Sequence, residues 1–171
     1  MHTQTFERVY MRTLRQIYDA EKQLCVSMPA LCSPALGNLA EVLTEIEGQS
    51  KRQIARLEGI FQVLYEEPRG EASWVTTALL REAWDAIGNN GERASLQGCA
   101  AALLALKRYE LTLYETLLRW SERCELEEAL PAIRRSIAEE LLQASILSGI
   151  AFEPNPDVST MIPESERRAL H

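Results

Sequence analysis

The chain has 171 residues, enough for one domain with a full core and too few for two comfortable ones. Its apolar fraction is 46%, with few aromatics and eight glycines, a balance that favours helices over a sandwich or barrel. The net charge of −7 repels a nucleic-acid duplex or an anionic membrane surface, and no basic run offsets it.

The first helical pattern uses Phe6, Val9, Tyr10, Leu14, Ile17, Tyr18, Leu24, Cys25, Met28, Leu31 and Cys32, in steps of three and four. Ser33-Pro34 breaks it, because proline disfavours helical geometry in the residue before it. A second pattern follows through Leu39, Val42, Leu43, Ile46, Leu57, Ile60, Phe61 and Leu64, and ends at Glu66-Glu67-Pro68-Arg69-Gly70. Residues 73–87 read as a shorter helix with Ser73 as N-cap and Trp74, Ala78, Leu79, Ala83, Trp84 and Ile87 as its stripe. Gly88-Asn89-Asn90-Gly91 closes it with turn chemistry. The third long helix carries Leu96, Cys99, Leu103, Leu106, Leu113, Tyr114, Leu117 and Trp120. A fourth carries Leu126, Leu130, Ile133, Ile137, Leu141, Ala144 and Leu147, with Pro131 at a first turn or a kink. The bundle is expected over 1–152. The remaining 153–171, with Pro154, Pro156 and Pro163 and no sustained period, is expected as an extended tail.

Connections near 33–36 and 123–126 are short, so helices one and two form an antiparallel hairpin, as do three and four. The middle connection, about 26 residues with its short helix, can cross the whole bundle, as in a ferritin-like fold. The expected fold is thus an all-α, ferritin-like four-helix bundle.

The tryptophans are expected in packing or a dimer seam. The four cysteines, Cys25, Cys32, Cys99 and Cys124, form no CxxC pair and are expected as buried thiols in a reducing compartment. No signal-peptide core and no run of ~18 apolar residues occurs, so a cytoplasmic protein without a membrane span is expected.

The informative residues interrupt the stripes. Glu21 sits where helix one demands a core residue, Gln49 and Gln53 interrupt helix two, Glu110 helix three and Glu140 helix four, with Glu139 beside it. Glu21 and Gln49 both lie roughly 17–20 Å from the first hairpin turn, and Glu110 and Glu140 both lie roughly 20 Å from the second. If the hairpins dock as in a ferritin, these positions meet in one layer. Buried carboxylates need compensation, since each charge costs several kcal/mol to bury. A metal ion, a buried cation or protonation would supply it. Tyr18 and Tyr114 could donate to the carboxylates, and Arg108 or Lys107 could reach inward from the flank.

Tyr18-Asp19-Ala20-Glu21-Lys22-Gln23-Leu24, Met28-Pro29-Ala30-Leu31, Gln53-x-x-Arg56-Leu57-Glu58, Arg108-Tyr109-Glu110-x-x-x-Tyr114 and Glu139-Glu140 resemble the YciE/YciF-like ferritin-like family of bacterial stress-associated proteins. The resemblance covers about residues 6–150. It implies a helical bundle, usually dimeric, with a dimetal centre and no settled activity. Glu21, Glu110 and Glu140 match the family's metal-ligand pattern. Other positions depart from it: Ile46 and Gln49 stand where the family has His and Glu, Arg108 where it has His, and Ala144 where it has Asp. The histidines of this chain, His2 and His171, lie at its ends.

The expectation is therefore a non-catalytic or weakly metal-binding bundle, stress-associated by resemblance, with a degenerate dimetal site. Arg108 would supply the positive charge that the metal once did. The alternative is an iron- or manganese-binding protein acting on oxygen or peroxide. The cofactor expectation is none, or iron or manganese at low occupancy. The partner expectation is a homodimer, with room for another protein partner and none for nucleic acid.

Overall fold

The computed structural model describes residues 2–33, 36–88 and 93–153, with side chains from Phe6 and, after the second gap, from Ser95. Among the described residues five helices follow one another: α1 (His2–Leu31), α2 (Asn38–Val63), α3 (Trp74–Gly88), α4 (Arg93–Arg123) and α5 (Leu130–Ala151), with a 3-10 turn at Glu127–Ala129 leading into the last. Pro131 falls in the first turn of α5, where its missing N–H leaves no helical bond unmade. The Ser33-Pro34 break follows the end of α1, and Pro34 itself lies outside the described residues, as do Asn89-Asn90-Gly91 and the stretch from Pro154 onward.

Two helices end in the same way. Tyr65 and Glu125 take left-handed φ values of 55° and 58°. After α2, the Glu66 N–H reaches the Phe61 carbonyl and the Tyr65 N–H the Gln62 carbonyl. After α4, the Leu126 N–H reaches Ser121 and the Glu125 N–H reaches Glu122. These paired bonds satisfy the carbonyls that a helix terminus leaves free.

The α1–α2 and α4–α5 hairpins pack side by side, α1 along α4 and α2 along α5. Phe6, at the start of α1, meets Trp120, near the end of α4, edge-on at 5.5 Å, and Tyr10 is hydrogen-bonded to Ser121 at 2.8 Å. On the other side Gln49 reaches Glu140 and Arg56 reaches Ser136, so α2 and α5 also run in opposite directions. Neighbours are then antiparallel throughout, and α2 and α4 run the same way. The chain must cross the bundle's full length between them, which is the ferritin-like connection.

That crossover is fastened to α1. The Glu71 N–H donates to the Arg15 carbonyl at 3.1 Å, and the Ser73 N–H donates to Asp19 Oδ2 at 2.9 Å. Gln23 donates to the same Asp19 oxygen at 2.7 Å and accepts from the Thr77 hydroxyl at 2.9 Å. Gly70 lies so close that a Cβ there would stand 3.1 Å from the Asp19 side chain. Ser73 takes the N-cap position, but its hydroxyl meets the Thr76 hydroxyl at 2.7 Å rather than a backbone N–H.

The inner face of α3 is Thr76, Leu80 and Ala83, supported by Leu79, Ala86 and Ile87. The expected stripe is partly rotated: Trp74, Ala78 and Trp84 are exposed, and Thr76 and Leu80 join Ala83 on the buried side. The same kind of offset puts Val9 and Leu141 outside the core. Of the cysteines, only Cys99 is buried; Cys25 is half-buried, Cys32 and Cys124 are exposed, and all four are free thiols.

The apolar core comes in two parts. One contains Leu24, Met28, Leu43, Ile46, Leu103, Leu106, Ala144 and Leu147. The other contains Tyr10, Leu14, Ile17, Leu57, Phe61, Tyr114, Leu117 and Ile133. On each long helix the residues between these two sets are the polar ones. Among the described residues no helix is long and apolar enough to cross a membrane.

Candidate functional site

The slab between the two apolar clusters is built from all four long helices. α1 supplies Glu21; α2 supplies Gln49, Ser50 and Gln53; α4 supplies Lys107 and Glu110; α5 supplies Ser136, Glu140 and Gln143, and every one of them is buried. Matched helix lengths bring the carboxylates to one depth, and carboxylate oxygens of Glu21, Glu110 and Glu140 lie within 4.8 Å of one another.

Lys107 is the centre of charge in this layer. Its side chain is 1% exposed, and its ammonium donates to Glu110 Oε2 at 2.9 Å and to Glu140 Oε1 at 3.1 Å. Glu140 Oε1 also accepts the amide hydrogens of Gln49 and Gln53, each at 2.9 Å. Across the layer the Tyr114 hydroxyl donates to Glu21 Oε1 at 3.0 Å. Among the described residues of the layer, five carboxyl and amide oxygens, Glu21 Oε2, Glu110 Oε1, Glu140 Oε2, Gln53 Oε1 and Gln143 Oε1, are left without a hydrogen-bond partner, as is the Ser50 hydroxyl.

The electrostatics follow from three carboxyls facing one ammonium. Burial pushes Glu21 up to about 7 against the pull of Lys107, and the charge of Glu140 pushes the same way as burial. The Ser50 hydroxyl favours the ionised carboxylate of Glu21, although its geometry falls short of a good hydrogen bond. Burial also holds Glu110 well above the carboxylate range in spite of Lys107 beside it. For Lys107 burial works against the charge, yet Glu110, Glu140 and Glu21 outweigh it and raise the ammonium above its ordinary value. Tyr114 is raised by burial first and the carboxylates second, so it stays a phenol and a donor.

Three sequence-based expectations move. Arg108 is exposed, and Lys107 takes the inward place expected of it. Tyr18 does not serve the layer: its hydroxyl donates to Glu58 Oε1 at 2.9 Å. Glu139 lies on the rim, paired with Arg56, whose Nε reaches Ser136 at 3.1 Å. Ser50 and Gln143 were not among the expected polar positions, although Ser50 stands four residues after Ile46 and Gln143 four before Leu147, both on the buried stripe.

The donor set does not fit a pair of metal ions. A two-ion centre in such a bundle draws on Glu-x-x-His motifs from two helices, and here the residues three after Glu21, Glu110 and Glu140 are Leu24, Leu113 and Gln143. The Gln49 amide nitrogen donates toward Glu140 where a ligand oxygen would be needed, and an ammonium already draws one oxygen each from Glu110 and Glu140.

The family model of a domain of unknown function, DUF892, matches residues 5–154. Among solved structures, the stress protein YciF of E. coli is similar at 22% identity, with a TM-score of 0.79 over 85% of this chain and 94% of that one; this likeness is one of fold. YcfI from Rhodopseudomonas palustris, described provisionally as a structural protein, is similar at 25% identity, with a TM-score of 0.76 over 84% of this chain and 92% of that one. No functionally curated protein matches.

Proposed function

The chain belongs to the DUF892 family, and from that premise we propose that it is a non-catalytic helical bundle whose central layer fixes the register of the four helices. The observation that carries this reading is the Lys107 ammonium set between Glu110 and Glu140 in the buried layer. It puts an internal cation where a ferritin-like protein would use metal. Buried ion pairs add little net stability, but separating the partners leaves an uncompensated buried charge. A register shift of α4 against α5 does that, so the layer selects one packing. The likeness to YciF and YcfI supports a stress-associated or structural role. Exposed thiols at Cys32 and Cys124 suit a reducing cytoplasm.

A homodimer is part of this proposal. From Leu141 to Phe152 the chain has no charged residue, and Leu141, Leu142 and Ile146 on α5 and Phe152 just past its end are exposed. A two-fold pair would bury that face against itself.

A second reading, a single hard cation such as iron or manganese held by oxygen ligands, is favoured by the three unpartnered carboxylate oxygens. Metal analysis of tag-free protein from cells supplied with iron and manganese separates the two. The scaffold reading expects substoichiometric metal, and expects Glu110→Ala to lose stability equally with and without chelator. Stoichiometric metal, or a Glu110→Ala effect confined to metal-loaded protein, rejects it.

A further inference from the structure

We propose that Lys107 is the residue that closes the central layer to divalent cations, and that an uncharged side chain of similar length there opens a single-ion site at Glu21, Glu110 and Glu140. The inference rests on the scaffold reading and adds a specific role for one side chain.

The layer already holds most of such a site. Each carboxylate keeps one unpartnered oxygen, at Glu21 Oε2, Glu110 Oε1 and Glu140 Oε2, and Gln53 supplies a further unpartnered oxygen from a fully buried amide that also touches Glu140. An all-oxygen donor set suits a hard divalent cation, for which Mn2+ is a convenient probe. What opposes entry is the ammonium. It stands 2.9 Å from Glu110 Oε2 and 3.1 Å from Glu140 Oε1, so a divalent ion on the same carboxylates would face a positive charge at close range in a buried setting. Methionine in place of Lys107 removes that charge and frees Glu110 Oε2, while keeping most of the apolar stem that packs in α4. Three carboxylates then face no cation of their own. Arginine keeps the charge and should keep the site closed.

The test compares the full wild-type chain with Lys107→Met, Lys107→Gln and Lys107→Arg. Mn2+ binding is followed by calorimetry and by the electron paramagnetic resonance of bound ion, and melting is recorded with and without MnCl2. The expected result is one Mn2+ per Met or Gln chain, at least tenfold tighter than any binding to wild type or the Arg variant. Mn2+ should also raise the melting temperature of the uncharged variants only. Equal Mn2+ uptake by wild type and Lys107→Met overturns the inference, as does a folded Lys107→Met chain that takes up none. Met and Gln variants that stay unfolded in Mn2+ overturn it too, since the ion then does not replace the ammonium. Iron or manganese present stoichiometrically in wild type as purified overturns the scaffold reading along with the inference, whereas a folded Lys107→Met chain that takes up no Mn2+ overturns the inference alone.

Discussion

The two sides of α5 depart from the usual division of a surface helix. Inward, beside the apolar Ile133, Ala144 and Leu147, it buries Ser136, Glu140 and Gln143, and outward its second half offers Leu141, Leu142, Ile146 and, just past its end, Phe152. The inward groups are matched within the chain, Glu140 by Lys107, Gln49 and Gln53, and Ser136 by Arg56. Among the described residues the outward groups have no such match: Leu142 is 61% and Phe152 70% exposed. A helix face is therefore made polar or apolar by what stands opposite it. The inner face of α5 answers other helices of this chain, and the outer face suits a second copy.

The sharpest way to break the inner half of this contrast is Lys107→Ala, which leaves Glu110 and Glu140 buried without their cation. It should cost about 3–5 kcal/mol in chemical denaturation, where Leu142→Ala on the outer face should change monomer stability by no more than about 0.5 kcal/mol. The next effect is one of pH. Glu21 carries a folded-state value raised by burial from 4.5 to about 7, so the folded chain holds a proton that the unfolded chain has released across that interval. Stability should be greatest at the acid end of this window and fall as pH rises through about 7, by on the order of a few kcal/mol, with Glu110 acting in the same direction. Urea unfolding at a series of pH values measures the slope, and Glu21→Gln should flatten it. Tyr114→Phe removes one donor to Glu21 and should cost about 2 kcal/mol in the same assay. Least in stability, yet decisive for the outer half, is Leu142→Glu with Ile146→Glu. Light scattering should find dimer for wild type and monomer for the double variant, with the melting of the monomer unchanged to within about 0.5 kcal/mol.

The bundle was legible because its signals are redundant. Each long helix repeats its stripe over several turns, and the constant rise of an α-helix turned sequence separations into depths that matched for Glu21, Glu110 and Glu140. Single side-chain directions were less legible. Lys107 and Arg108, both candidates for the inward cation, differ by about 100° around the axis, and only Lys107 shares a stripe with Leu103 and Tyr114; the expectation that Arg108 supplies the charge followed the position of a family histidine. Tyr18 and Tyr114 part for another reason. Helical side chains lean toward the N-terminus, so Tyr18, placed before Glu21, leans away from the layer toward Glu58. Tyr114, placed after Glu110, leans back into it. Glu139 is one residue from Glu140 and by the same rotation faces Arg56 at the rim.

Asp19 and Glu21 stand about 200° apart around α1, so one turn of that helix is held from opposite sides. Asp19 grips the crossover at Ser73 beneath a glycine that leaves no room for slack, and Glu21 is tied to Tyr114 inside. Like an axle pinned front and back, α1 cannot swivel in either sense without shearing one of the two ties.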